Sequence, residues 1–166
     1  MKFRDVLQDA FSTAEASRLA NLTPRQLDHW ARRGFLRPTL EEASGYGSRR
    51  RYSFSDIVKL RVAARLRASG VGLARIRRCV EVLKRLDSTG HADLGQARLI
   101  VAGNRVLWAR SDQEVVDLVK EGQLVLVFSV AGAVEEAFGA IARASREARD
   151  NTPELRIARR GRRRAN

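Results

Sequence analysis

Apolar residues in the first half of the chain recur at helical spacing in short bursts. Ala16, Leu19 and Ala20 form one stripe, and Leu27, Trp30 and Ala31 form a second. Ile57, Leu60, Val62, Ala63 and Leu66 supply apolar contacts on more than one side of a third helix, and Leu73, Ile76, Val80 and Leu83 face one way on a fourth. The period then changes. Residues 98–102 and 105–110 flank Gly103-Asn104, a two-residue hairpin signal. Leu124-Val125-Leu126-Val127-Phe128 is nearly continuous apolar, as expected of a strand covered on both faces. Between them, Ser111 and Glu114 make a capping box for a helix carrying Val115, Val116, Leu118 and Val119 and ended by Gly122. A last helix, about 132–149, puts Val134, Phe138, Ile141 and Ala148 on one side.

Start and stop signals bracket these stripes. Ser12 and Glu15 form a capping box ahead of the first helix, and Asn21 suits its end because asparagine tolerates a left-handed backbone. Thr23 caps the second helix, with Pro24 at its first position and Gln26 closing another box; Gly34 should stop it after Arg33. Gly45, Tyr46 and Gly47 then permit a sharp reversal, and Arg49, Arg50 and Arg51 follow, so that this segment reads as a basic hairpin, or wing. Glu41 and Glu42 stand at its acidic tip. Ser53 caps the third helix with Asp56 in its first turn, Ser69-Gly70 ends it, and Gly72 and Leu73 open the fourth. Asp87-Ser88-Thr89-Gly90 is a turn cluster and the expected domain boundary. The fold class is therefore a mainly α winged helix-turn-helix domain over 11–86, preceded by an arm at 1–10 and followed by a small α+β domain at 91–150 (β-β-α-β-α) and a basic tail at 151–166.

The outward face of the second helix changes the picture from fold to function. Arg25, Gln26, His29, Arg32 and Arg33 are left outside the apolar stripe. A helix ending in water needs no such concentration of cationic and hydrogen-bonding side chains, whereas one lying in a major groove does. Charge agrees. The 166 residues carry 32 Lys and Arg against 19 Asp and Glu, a formal net charge of +13, which favours a polyanionic partner. The excess sits at +11 in residues 1–86 and +5 in the tail, while residues 87–150 are −3. Hydrophobic content of 44% allows a real core. The amino-terminal residues lack an apolar signal core, no run approaches the length of a spanning helix, and one cysteine excludes an intramolecular disulfide. These features lead to the expectation of a cytoplasmic, nucleoid-associated protein of bacterial style without a membrane partner.

The order of these motifs resembles the MerR-type winged-helix transcription regulators. The carrying residues are Ser12…Glu15, Thr23-Pro24-Arg25, Trp30…Gly34-Phe35-Leu36, Arg50…Tyr52, Ser53-Phe54-Ser55-Asp56 and Ser69-Gly70-Val71-Gly72-Leu73…Ile76-Arg77. The wording is most similar to small actinobacterial-type members with a short α+β domain after the DNA-binding part. The resemblance implies a homodimer on double-stranded DNA, acting with RNA polymerase at promoters that it bends and untwists. Arg25, Gln26 and His29 are then expected at base edges, and Thr23, Arg33, Arg49, Arg50 and Tyr52 at phosphates. Lys59, Arg61, Arg65, Arg77 and Arg78 are further candidates for backbone contacts. Two departures stand out. Asp28 occupies a position where the family commonly has an arginine that meets DNA, and the chain breaks into strands where larger members continue into a long dimerisation helix. The second half is assigned dimerisation first and small-molecule sensing second, with the effector unknown.

Other chemistries find little support. Cys79 lies beside Ile76 and Val80 and reads as a core residue, unlike the exposed, low-pKa thiol of a sensor. His29 and His91 have no ligand-spaced cysteine, so no metal is expected. Gly45-x-Gly47 lacks the lysine of a phosphate loop, and no catalytic set or cofactor motif is visible, so the chain does not read as an enzyme. Trp108, in a hairpin strand, suits core or dimer packing, with ligand stacking as the alternative. The arginine-rich tail and net charge keep open a nucleoid-associated architectural protein with weak sequence preference; otherwise the tail reads as solvated chain or as an arm on nucleic acid.

Overall fold

The computed structural model describes residues 10–41, 49–89, 96–103, 105–111, 113 and 125–150. The expected arm (all but Ala10), the wing tip with Gly45, Tyr46 and Gly47, the helix expected after Ser111, His91 and the basic tail lie outside the described residues.

Strand β1 (Phe11–Ser12) leads directly into helix α1 (Thr13–Ala20), and Asn21 ends α1 with φ 57°. Helix α2 (Pro24–Arg32) follows after three residues, with Thr23 as its cap. Both caps have the expected reciprocal geometry: the Glu15 amide donates to Ser12 Oγ at 3.3 Å while Ser12 N–H donates to Glu15 Oε2 at 2.8 Å. The Gln26 amide donates to Thr23 Oγ1 at 3.2 Å, and Thr23 N–H donates to Gln26 Oε1 at 2.9 Å. The chain leaves α2 through Gly34, whose φ of +65° strains any other residue, and Phe35 N–H returns to the Trp30 carbonyl at 2.9 Å.

Strand β2 (Arg51–Tyr52) pairs antiparallel with β1, Phe11 opposite Tyr52, and a further bridge joins Arg51 to Glu41. Glu41 thus belongs to the base of the hairpin, not to its tip. Helix α3 (Phe54–Ala68) runs through the middle of the molecule, buried on almost every side. Its first turn also holds the loop after α2: Asp56 Oδ2 accepts from Thr39 N–H, Thr39 Oγ1 and Ser53 N–H at 2.8–2.9 Å.

Helix α4 (Leu73–Thr89) extends past the expected turn, keeping residues 87–89 helical. Asp87 explains the extension, since its Oδ2 accepts from Lys59 Nζ at 2.7 Å and from Ser55 Oγ at 2.6 Å, tying the last turn of α4 to the start of α3. Lys59, expected as a possible DNA contact, is therefore a buried ion-pair partner. Leu73 also departs from expectation: the core face of α4 is Ile76, Cys79, Val80 and Leu83, and Leu73 is 49% exposed.

Strands β3 (Arg98–Ala102), β4 (Arg105–Ala109) and β5 (Val125–Ser129) form an antiparallel sheet in the order β4-β3-β5. The hairpin falls where Gly103-Asn104 places it. Among the described residues the apolar run ending at Phe128 is an edge strand, not one covered on both faces: Leu126 is 36% and Val127 43% exposed. The central strand is β3, with Leu99, Ile100 and Val101 buried. Helix α5 (Val130–Asp150) begins two residues before Gly132 and buries Val130, Ala133, Ala137 and Ile141. It packs along α3, where Glu136 accepts from Arg61 at 3.0 Å and Arg65 at 3.1 Å. Both arginines were possible DNA contacts; Arg61 is largely covered by this pairing. One hydrophobic cluster runs from Phe11 through α3 to Ile141. No described helix is long and apolar enough to cross a membrane.

Candidate nucleic-acid interface

Helix α2 is held from beneath by three side chains. Leu27, Trp30 and Ala31 are buried, and the Trp30 and Phe35 rings meet edge to face at 5.0 Å and 85°. This anchoring fixes the rotation of the helix, so the residues between must face out. Thr23, Arg25, Gln26, His29, Arg32 and Arg33 are all exposed. Pro24 at the first position gives up no bond, because the first N–H groups of a helix lack partners within it.

Asp28 sits on the same face and is already engaged. Its Oδ1 accepts from Arg50 Nη1 at 2.7 Å and its Oδ2 from Arg32 Nε at 2.8 Å. The Arg50 hydrogen bond, followed by the nearby Arg32 and Arg50 charges, holds the Asp28 carboxyl below its usual range despite some desolvation. The carboxylate therefore acts as a clasp between α2 and the strand leading out of the wing. Arg50 is drawn inward by this clasp, its side chain only 20% exposed, whereas Arg49 remains exposed.

Tyr52 is placed in the core at 1% exposure, so its side chain does not stand on the surface with the other expected phosphate contacts. Burial is the main reason its phenol is pushed up, and the nearby Arg50 guanidinium opposes that shift. The period of two along Arg51–Tyr52 is the signal that could have placed it, since a strand that exposes Arg51 must turn Tyr52 inward.

A concavity of about 490 Å³ lies between the start of α1 and the wing side of α2, lined by Thr13, Ala14, Arg32, Arg49 and the Asp28–Arg50 pair. Arg32 and Thr13 therefore join the candidate surface, and Thr13 escaped the sequence reading. The Ser12 cap marked it, because a capping box places the next residue at an exposed helix amino terminus, where anions are favoured.

A two-helix unit with a short turn, a polar outward second helix and a paired basic strand alongside defines a helix-turn-helix domain with a wing-side flank. Residues 11–83 match the family model described as MerR HTH family regulatory protein, and these residues are a MerR-type helix-turn-helix domain. The chain is also 41% identical over 127 residues to proteins of Mycobacterium bovis and of two strains of Mycobacterium tuberculosis, each named as an uncharacterized HTH-type transcriptional regulator. The alignment covers 76% of this chain and 55% of those proteins, so the chain spans about half the length of the curated relatives it matches.

Proposed function

We propose that the protein is a sequence-specific regulator of transcription that binds double-stranded DNA as a homodimer and is not an enzyme. The observation that carries this reading is the outward face of α2, where Arg25, Gln26, His29 and Arg33 are exposed on a MerR-type domain. Arg25, Gln26 and His29 are assigned to base edges, because the first turns of such a helix enter the major groove. Thr23, Arg33 and Arg49 are assigned to phosphates, with Arg32 added. Arg50 meets phosphate only if it leaves Asp28, and Tyr52 anchors the β1–β2 pair in the core. The relatives' names as transcriptional regulators support the same class of function. Two copies would read related half-sites, and RNA polymerase is the partner through which bent promoter DNA would be read out.

Footprinting on genomic fragments tests the proposal. Discrete protected sites are expected; uniform, salt-sensitive protection would favour a coating protein instead. Within a protected site, Arg25→Ala is expected to weaken specific binding by about 1–3 kcal/mol and relax the preference at one base pair. Equal losses on specific and random duplexes would remove Arg25 from base readout.

A further inference from the structure

The carboxyl end of α2 borders a second feature, whose apolar lining the DNA reading does not use. A cleft of about 1110 Å³ opens between the carboxyl end of α2, one face of α4 and the β4 edge of the sheet. Its apolar lining comes from the Trp30–Phe35 pair, Leu73, Val82, Val106 and Leu107. Five arginines also line it: Arg77, Arg78 and Arg85 on α4, Arg33 just past the end of α2, and Arg105 on β4. Among the described residues lining it, Glu81 is the only carboxylate, and it already accepts from Lys84 Nζ at 2.8 Å.

We infer that this cleft binds a small organic anion with an aromatic or aliphatic body and a carboxylate, sulfonate or phosphate group. Ligand pockets are concave, mostly apolar and roughly 300–1,000 Å³, with a few polar groups that fix orientation. At about 1110 Å³ the cleft lies just above that range. A DNA backbone would use the arginines but has no use for the apolar wall behind them. Conversely, a neutral apolar guest would offer no counter-charge to Arg33, Arg77, Arg85 and Arg105. Leu73 is the sharpest sign: this apolar residue at the start of α4 lines the cleft yet is 49% exposed, and it is covered when such a body occupies the site. The acidic head would engage Arg77, Arg85 or Arg33 through charge-assisted bonds. Arg33 and His29 border the cleft and also belong to the face assigned to DNA, so an anion held there draws Arg33 away from phosphate and lowers DNA affinity.

Fluorescence titration of the full chain with 8-anilinonaphthalene-1-sulfonate, an aromatic sulfonate, tests the site. N-phenyl-1-naphthylamine serves as its uncharged counterpart. Saturable binding of one probe per chain is expected, displaced by decanoate and not by inorganic phosphate alone. Arg77→Gln with Arg85→Gln is expected to weaken the sulfonate by about ten-fold or more while leaving the uncharged probe nearly unchanged, as loss of charge-assisted bonds requires. Ala74→Trp, which fills the cleft from its exposed wall, should abolish both. All these substitutions lie on the exposed side of α4, and circular dichroism confirms that each variant folds. Sulfonate binding that survives both changes overturns the proposal. So does a loss of dimer mass in Arg77→Gln/Arg85→Gln without loss of probe binding, which would give the cleft to a second copy of the chain. The coupling to DNA rests on the proposed function and is read separately: added duplex should release the probe, and independent binding of the two refutes the coupling while leaving the fluorescence result intact.

Discussion

At Cys79, burial alone decides the chemistry. The thiol is fully buried between Ile76 and Val80, and desolvation pushes its pKa from 9.0 up to about 11. At neutral pH it is therefore a protonated, inert hydrophobe. Native protein at pH 8 should react with iodoacetamide far more slowly than protein in denaturant, and mass spectrometry reads the difference; equal rates would refute the burial. The linkage follows the same direction. Because the folded thiol ionises later than the unfolded one, its contribution is complete below pH 9 and is lost as pH rises toward about 11. Tyr52 and Leu73 make the opposite pair. The first is a polar-tipped residue with its side chain in the core, and the second is an apolar residue left half exposed beside a cleft.

Among elements, the joint between α2 and the wing strand depends on one carboxylate. Asp28 holds Arg32 along the helix and Arg50 across to the hairpin, so it fixes where the wing cations stand relative to the groove-facing side chains. Asp28→Asn should release Arg50 toward phosphate. The expected outcome is tighter binding to random duplex, a salt slope steeper by about one unit, and a smaller ratio of specific to non-specific affinity. Filter binding at several salt concentrations measures all three; an unchanged slope would show that Arg50 is not held in reserve. Since the carboxyl is held below its usual range, the clasp persists at neutral pH and fails only on acidification through that lowered value. The caps of α1, α2 and α3 are local in a different sense: each satisfies amide groups of its own helix from three residues away.

Across the whole molecule, the carboxyl-terminal helix and the helix-turn-helix domain share their apolar interior. Val130, Ala133, Ala137 and Ile141 join Leu60, Val62 and Leu66 in one cluster, with the Glu136 pairs to Arg61 and Arg65 along its edge. Ile141→Ala is expected to cost about 2–4 kcal/mol, as a buried truncation does, and to lower a single denaturation midpoint. Separate transitions for the two halves in urea would show that the cluster does not couple them. Asp87 extends this logic, since its bond to the buried Lys59 nails the end of α4 to the root of α3.

Much of the fold and of the candidate surface was legible in local signals. Two capping boxes, the Ser53 cap, the left-handed Asn21 and Gly34, the Gly103 turn and the Leu27–Trp30–Ala31 stripe each act within a few residues, and each appears where the sequence puts it. The outward position of Arg25, Gln26, His29 and Arg33 follows from that stripe, because a helix with one side anchored has no choice about the other. What the tertiary structure decided are the pairings between distant residues: Asp28 with Arg50, Lys59 with Asp87, Arg61 with Glu136, and the edge position of β5. A charge carries no record of its partner in its own spacing, and a run of apolar residues does not say whether a neighbour covers it. Those questions are answered only when the chain folds back on itself.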